Sequence, residues 1–377
     1  MKTFVLLCAL GVVACDATAQ KSALDRPLDG IATVVVVAKG LDHPWSLAFL
    51  PDGRALVTEK SGQLRYLAKD GKLSEPLAGV PKVDDGGQGG LLDVALDPKF
   101  AGNRLVYLSF SEPGDDGTAG TAVARGRLGE RGLEDVRVIY RQVPKVKSGN
   151  HYGSRLVFDR DGALFVTQGD RFNQRPLVQD LTTDIGKIVR ITTDGGVPAG
   201  NPFANKPGAR PEIWSYGHRN AQGAALHPAT GRLWTVEHGA QGGDELNHPE
   251  AGKNYGWPVI TYGVDYSGEK IGEGTAKAGM EQPVHYWDPS IAPSGLLIYT
   301  GDAFPDWKGD FFVGSLKFGR LVRLELDGDK VVKEERYLGE RGERIRDVVQ
   351  GPDGFIYLLT DADPGSVLRL EPVRSAK

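Results

Sequence analysis

Cysteine is nearly missing from this chain: 377 residues contain two, Cys8 and Cys15, both close to the start. Everything beyond them lacks a thiol, which excludes disulfides, cysteine nucleophiles and cysteine-ligated metals from that long remainder. No stretch after the first twenty residues sustains helical periodicity, and no long run of like charge occurs. The formal net charge of −4 gives no reason to expect nucleic acid as a partner. A G-x-S-x-G nucleophile elbow, a P-loop, an H-E-x-x-H helix and a dinucleotide fingerprint between strand and helix are all missing. A redox enzyme built on this sequence therefore needs an electron carrier other than a nicotinamide on a doubly wound sheet.

Residues 1–19 read as a targeting segment. Lys2 gives a positive start, Phe4 to Ala14 an apolar stretch too short to span a bilayer, and Ala17-Thr18-Ala19 a small-x-small cleavage site. Cleavage there leaves residues 20–377, beginning at Gln20, as one domain in the periplasm or outside the cell. Val12-Val13-Ala14-Cys15 also resembles a lipobox, and lipidation at Cys15 would tether the protein to a membrane. Both readings export the chain.

What is plentiful is glycine, 51 residues, together with 23 prolines, a composition natural for many short strands and tight turns. A unit of apolar strand, Asp-Gly or Asp-Pro turn and second apolar strand recurs. It reads WSLAFLPDGRALVTEK from Trp45, GLLDVALDPKFAGNRLVYLSF from Gly90, SRLVFDRDGALFVTQGD from Ser154 and QGAALHPATGRLWTVEHG from Gln222. A degraded copy starts at Ser294, and the last, IRDVVQGPDGFIYLLTD, at Ile345. A hairpin cannot bury both faces alone, so repeats of this length favour radial stacking into blades. Six copies predict an all-β fold, a six-bladed β-propeller; a two-sheet sandwich is the rival, disfavoured by the repetition. Segments 141–153, 196–211 and 239–290 read as long loops lining one end of the central channel.

Three groups of residues in and near those loops could carry chemistry. His151, beside Asn150, is suited to accept a proton at neutral pH, although a lone loop histidine more often only bonds backbone. Arg219, Asn220 and Gln222 precede one repeat, and Lys317, Arg344 and Arg346 fall at corresponding places later. Singly each cation reads as a surface charge or a brace between blades; converging on the axis, they suit a ligand with several carboxylates. In EHGAQGGDELN, Gly239, Gly242 and Gly243 can expose carbonyl oxygens beside Asp244 and Glu245. Those are oxygen donors of the kind calcium takes, or else a glycine-rich turn with solvated acids.

The motifs GLDHPWSLAFLPDG, GGQGGLLDVALDP, GNHYGSRLVF, EIWSYGHRNAQG, EHGAQGGDELN, GKNYGWP and RIRDVVQGPDG together resemble the soluble quinoprotein sugar dehydrogenases. This is the glucose/sorbosone dehydrogenase family, and the likeness, strongest to its aldose sugar dehydrogenase branch, runs from about Gly40 to Leu370. The resemblance implies a six-bladed propeller that binds pyrroloquinoline quinone with calcium and oxidises aldoses at the anomeric carbon to lactones. Hydride would pass to the quinone, and an external electron acceptor would reoxidise it. His151 matches the family's base, and Gln88 a pocket glutamine that contacts substrate. Arg219, Asn220, Lys317, Arg344 and Arg346 match residues gripping the quinone. The backbone oxygens of Gly239 and Ala240 match the calcium ligands beside it, with Glu245 and the Tyr255 backbone at a structural calcium. This sequence has Asn150 where glucose-specific members place an aspartate before the histidine, which predicts a weaker base oriented by an amide. Ala240 stands where the family offers proline. Two other functions fit a propeller: a non-catalytic carbohydrate- or protein-binding module, and a calcium-dependent, lactonase-like hydrolase. The hydrolase needs carboxylates and asparagines around an axial metal, whereas the axial candidates here are mostly cations.

Overall fold

The computed structural model describes residues 23–373, so the expected leader and the lipidation site at Cys15 lie outside the described residues. Six antiparallel sheets follow one another along the chain, five of four strands and the first of three. Their opening strands, Pro44–Phe49, Leu91–Leu96, Leu156–Phe158, Ala221–Leu226, Pro293–Ile298 and Ile345–Gln350, neighbour one another around a common axis. The protein is a six-bladed β-propeller, and each repeat seen in the sequence is the inner hairpin of one blade. The Asp-Gly turns hold Gly53, Gly162 and Gly354 at φ of +85°, +83° and +78°, a region that side chains with a Cβ avoid. The longest α-helix among the described residues is one turn, Phe100–Asn103.

The core lies between blades. Each of six apolar clusters joins two neighbouring sheets, as where Leu56 and Leu64 of the first meet Val106 and Leu108 of the second. Trp234 and Val236 of the fourth likewise meet Leu296 and Phe311 of the fifth. The sixth blade closes the ring with strands from both ends of the fold. Ala32–Leu41 pairs antiparallel with Gly365–Pro372, Ala32 opposite Pro372.

Polar side chains fill the axis. Arg155, buried, reaches Asp93 on the second blade at 3.0 Å and Asp347 on the sixth at 3.1 Å. Its Nε donates to Gln222 O of the fourth at 3.0 Å. Asp93 also accepts from Ser46 Oγ of the first blade at 2.6 Å. One guanidinium thus ties together strands from widely separated parts of the chain.

Two of the three expected loops differ from expectation. Segment 239–290 contains two strands of the fourth blade, Asp244–Asn247 and His285–Trp287. Segment 196–211 lies at the opposite end of its blade from His151. Arg190 Nη1 donates to Ala199 O at 3.1 Å while its Nε bonds Asp159 in the turn of the inner hairpin. Both ends of a propeller carry loops, and glycine content does not say which end a loop faces.

Candidate active site

His151 sits where the chain passes from the second blade to the third. The close approach of Gly169 fixes it there: a Cβ at Gly169 would lie 1.9 Å from His151 O. The imidazole is buried, and its Nδ1 lies 2.6 Å from Asp170 Oδ1. Trp257 Nε1 donates to the other Asp170 oxygen at 2.8 Å. An ionised carboxylate only accepts, so Nδ1 carries the proton and Nε2 keeps its lone pair. Burial lowers the pKa of His151 below its ordinary value, against the pull of Asp170 and with help from Arg219 and Arg171. Burial would raise Asp170, but its bond to His151, the charges of His151 and Arg219 and the Phe172 backbone N–H together hold it below the usual carboxylate range. The result is a neutral imidazole backed by a carboxylate, the arrangement of a general base.

This corrects the expected role of Asn150. The charged partner of His151 is Asp170, nineteen residues away, and the Asn150 carbonyl oxygen instead accepts from Arg171 Nε at 2.9 Å. A carboxylate therefore stabilises the imidazolium after all. Gln88 and Asn220 brace the same segment: Gln88 Oε1 accepts from His151 N at 2.9 Å, and Asn220 Oδ1 from Gly153 N at 3.0 Å.

Beside this dyad opens a basin of about 460 Å³, within the usual range for small-molecule sites. Gln88, Gln222, His238, Lys317, Arg344 and Arg346 are among the residues lining it. Three of the four expected cations thus face one space. Arg219 stands behind it, donating to the carbonyl oxygens of His238 and Gly239 and, at 3.4 Å, to the hydroxyl of Tyr266 on the basin wall. Asp361 steadies Arg344 and Arg346, at 2.8 and 3.1 Å. Burial would raise its pKa, but these two guanidinium groups bring it down to about 2. Arg219 Nε and Arg346 Nε are buried without hydrogen-bond partners among the described residues. Concentrated cations with unused donors fit a flat polyanion.

His238 escaped sequence reasoning. Its Nε2 lies 3.2 Å from Gln222 Oε1. Desolvation, then Arg219, His151, Arg346 and Arg344, push its pKa well down. Asp170, Trp257, Phe172 and Tyr266 were missed as well. A usable signal existed for Asp170 and His238: each lies within three residues after the second strand of a repeat, at the end nearest the site.

The glycine-rich turn divides into two roles. Asp244 is consumed as a bracket, accepting from Gly239 N, Ser290 Oγ, Ile291 N and Ala292 N at 2.7 to 2.9 Å. Gly239 and Ala240 line the basin. Behind them a cavity of about 10 Å³, room for one small ion, is lined by Glu237, Gly239, Glu245 and Tyr255 among others. Desolvation, then the adjacent Glu237, push Glu245 up to about 8, so ionising it beside Glu237 is unfavourable unless a cation accompanies the charge. Among the described residues no cluster of three or more His, Cys, Asp or Glu side chains could hold a metal. A cation here would depend largely on backbone oxygens.

Known proteins share this arrangement of the chain. The glucose/sorbosone dehydrogenase family model matches residues 41–369. Aldose sugar dehydrogenase YliI of Escherichia coli is 52% identical over 344 residues, covering 90% of this chain and 92% of its own. The crystal structure of the soluble aldose sugar dehydrogenase from Escherichia coli in its apo-form aligns with a TM-score of 0.88 at 51% identity. That alignment covers 90% of this chain and 99% of the other. The PQQ-bound form of aldose sugar dehydrogenase from Streptomyces coelicolor aligns with a TM-score of 0.76 at 30% identity, over 91% and 99%. With a family match over most of its length and a relative of this identity, the chain belongs to the glucose/sorbosone dehydrogenase family.

Proposed function

We propose that this quinoprotein sugar dehydrogenase oxidises aldoses at the anomeric carbon, giving lactones, with pyrroloquinoline quinone and calcium as cofactors. The observation that carries the reading is the His151–Asp170 dyad set against a basin of converging cations. His151 Nε2 is free to take the proton of the anomeric hydroxyl, and Asp170 stabilises the imidazolium that forms. Gln88, tied to the His151 backbone and lining the basin, is placed to orient the sugar. Lys317, Arg344, Arg346 and, from behind, Arg219 would hold the quinone's carboxylates and oxygens. The carbonyl oxygens of Ala240 and, in place of its bond to Arg219, of Gly239 would hold calcium beside it, and Glu245 with the Tyr255 backbone a second calcium. When bound, these groups supply a hydride acceptor and the Lewis acid that sharpens it. An external electron acceptor completes the cycle, and the N-terminal sequence supports a periplasmic or secreted setting.

The test is reconstitution. Purified apoprotein given pyrroloquinoline quinone and calcium should bleach the quinone absorbance on adding glucose, reduce a dye and release a lactone that hydroxylamine traps. Absence of sugar-dependent bleaching sinks the reading. Replacing Arg346 by alanine should weaken quinone binding by about tenfold or more, the scale of a hydrogen bond to a charged group. A titration that matches wild type removes Arg346 from the binding set.

A further inference from the structure

We propose that Phe172 and Tyr266 form an aromatic sugar subsite at the mouth of the basin, gripping the C–H face of the aldose while its anomeric carbon meets His151. The inference rests on the sugar-oxidising reading above. Both rings are large and well exposed, Phe172 at 40% and Tyr266 at 52%. Their centroids lie 6.3 Å apart with planes tilted by 31°. Phe172 meets the His151 imidazole edge-on at 5.3 Å, and Tyr266 lines the basin itself.

The rings are held in place by the same contacts that brace the His151 segment. Phe172 and its neighbour Arg171 both adopt left-handed backbone, φ +65° and +54°, a conformation that bulky residues keep only when their surroundings enforce it. Arg171 does the enforcing. Its buried guanidinium donates to the carbonyl oxygens of Asn150, Ala119 and Ser148 and stacks 3.6 Å from the Tyr152 ring. Three residues after Phe172, Arg175 bonds Asp265 at 2.6 Å, directly beside Tyr266. That ion pair joins the two ring-bearing loops and sets their spacing.

The chemistry of the substrate completes the argument. A pyranose presents hydroxyl edges and C–H faces, and an aromatic face carries the negative potential that attracts C–H groups. The basin supplies charges and amides from Gln88, Gln222, His238, Lys317, Arg344 and Arg346. Phe172 and Tyr266 supply the apolar complement, on the side where the sugar body must project.

The test uses full-length protein reconstituted with quinone and calcium, comparing wild type with Phe172→Gly and Tyr266→Ala. Each variant should raise the KM for glucose by about tenfold with kcat within about threefold, the scale of one aromatic contact. Phe172→Gly should not lower the unfolding temperature, because glycine relaxes the left-handed backbone. A second readout needs no turnover. Methyl β-D-glucopyranoside has no anomeric hydroxyl to oxidise, so magnetisation transfer from aromatic protons to its ring protons reports contact alone. Transfer in wild type that disappears in Phe172→Gly supports the subsite, even if no aldose is oxidised and the functional reading fails. Absent transfer overturns the subsite. So does an unchanged KM for glucose, or a KM that rises for the electron-accepting dye only.

Discussion

Sugar oxidation should fall by about a hundredfold or more when His151 becomes alanine, the usual contribution of a general base. The structure adds that Asp170→Asn should cost a comparable factor while leaving quinone binding intact. An amide at position 170 cannot balance the charge of an imidazolium, and it is free to present its NH2 and select the wrong tautomer. The pH dependence has a definite sign. His151 must be neutral to act, and burial places its pKa below the ordinary 6.5. Steady-state kcat/KM should therefore be flat at neutral pH and fall about tenfold per unit only below that lowered pKa. Asp170→Asn removes the group that favours imidazolium, so this limb should move to still lower pH. Rates within a few-fold of wild type in both variants would remove the dyad from the chemistry.

The second large effect is on stability. Arg155→Met should destabilise the propeller by about 3–5 kcal/mol, the cost of removing one partner from a buried ion cluster. Arg155 is the counter-charge to Asp93 and Asp347, both nearly inaccessible to solvent. Burial pushes Asp347 up despite the opposing effects of Arg155 and of the Val348 and Leu47 backbone N–H groups, so Arg155 is its one cationic partner among the described residues. Denaturant unfolding checks the figure. A triple replacement, Arg155→Gln with Asp93→Asn and Asp347→Asn, should cost less than the single one, because no uncompensated charge remains. A loss below about 1 kcal/mol in Arg155→Met would mean that packing between blades, not the axial charges, holds the ring.

The blades were legible because their signal is local. Each inner hairpin is a contiguous stretch, and the Asp-Gly turn that joins its strands reports on backbone φ at one residue. The convergence of Lys317, Arg344 and Arg346 was legible for a related reason. The open ends of successive inner hairpins must fall at the same end of the axis, and Lys317 follows one hairpin while Arg344 and Arg346 open the next. His151 could be named as a base, but its partner could not. Asp170 reaches it only because the strand 164–167 lies antiparallel to 156–158, so the bond depends on register rather than on spacing. Trp257 lies farther off still, 87 residues along the chain from Asp170. Tyr266 and Phe172 carried no signal, since a loop aromatic looks the same in sequence whether it is buried or poised at a mouth. The adjacent Asn150 gave a false lead for the same reason. Proximity in sequence suggested an orienting role that the fold gives to a residue on another strand.

The strand Ala32–Leu41 zipped to Gly365–Pro372 has a further consequence for engineering. Because Ala32 faces Pro372, the outer ends of the first and last strands are already neighbours, with residues 24–31 running on from Ala32 to bond Arg336 of the fifth blade. A short peptide joining them, with new termini opened at the Asp327-Gly328 hairpin, gives a circular permutant whose blades all keep their pairing. Every blade would then be built from consecutive residues except the fifth, which would inherit the job of clasping the circle shut.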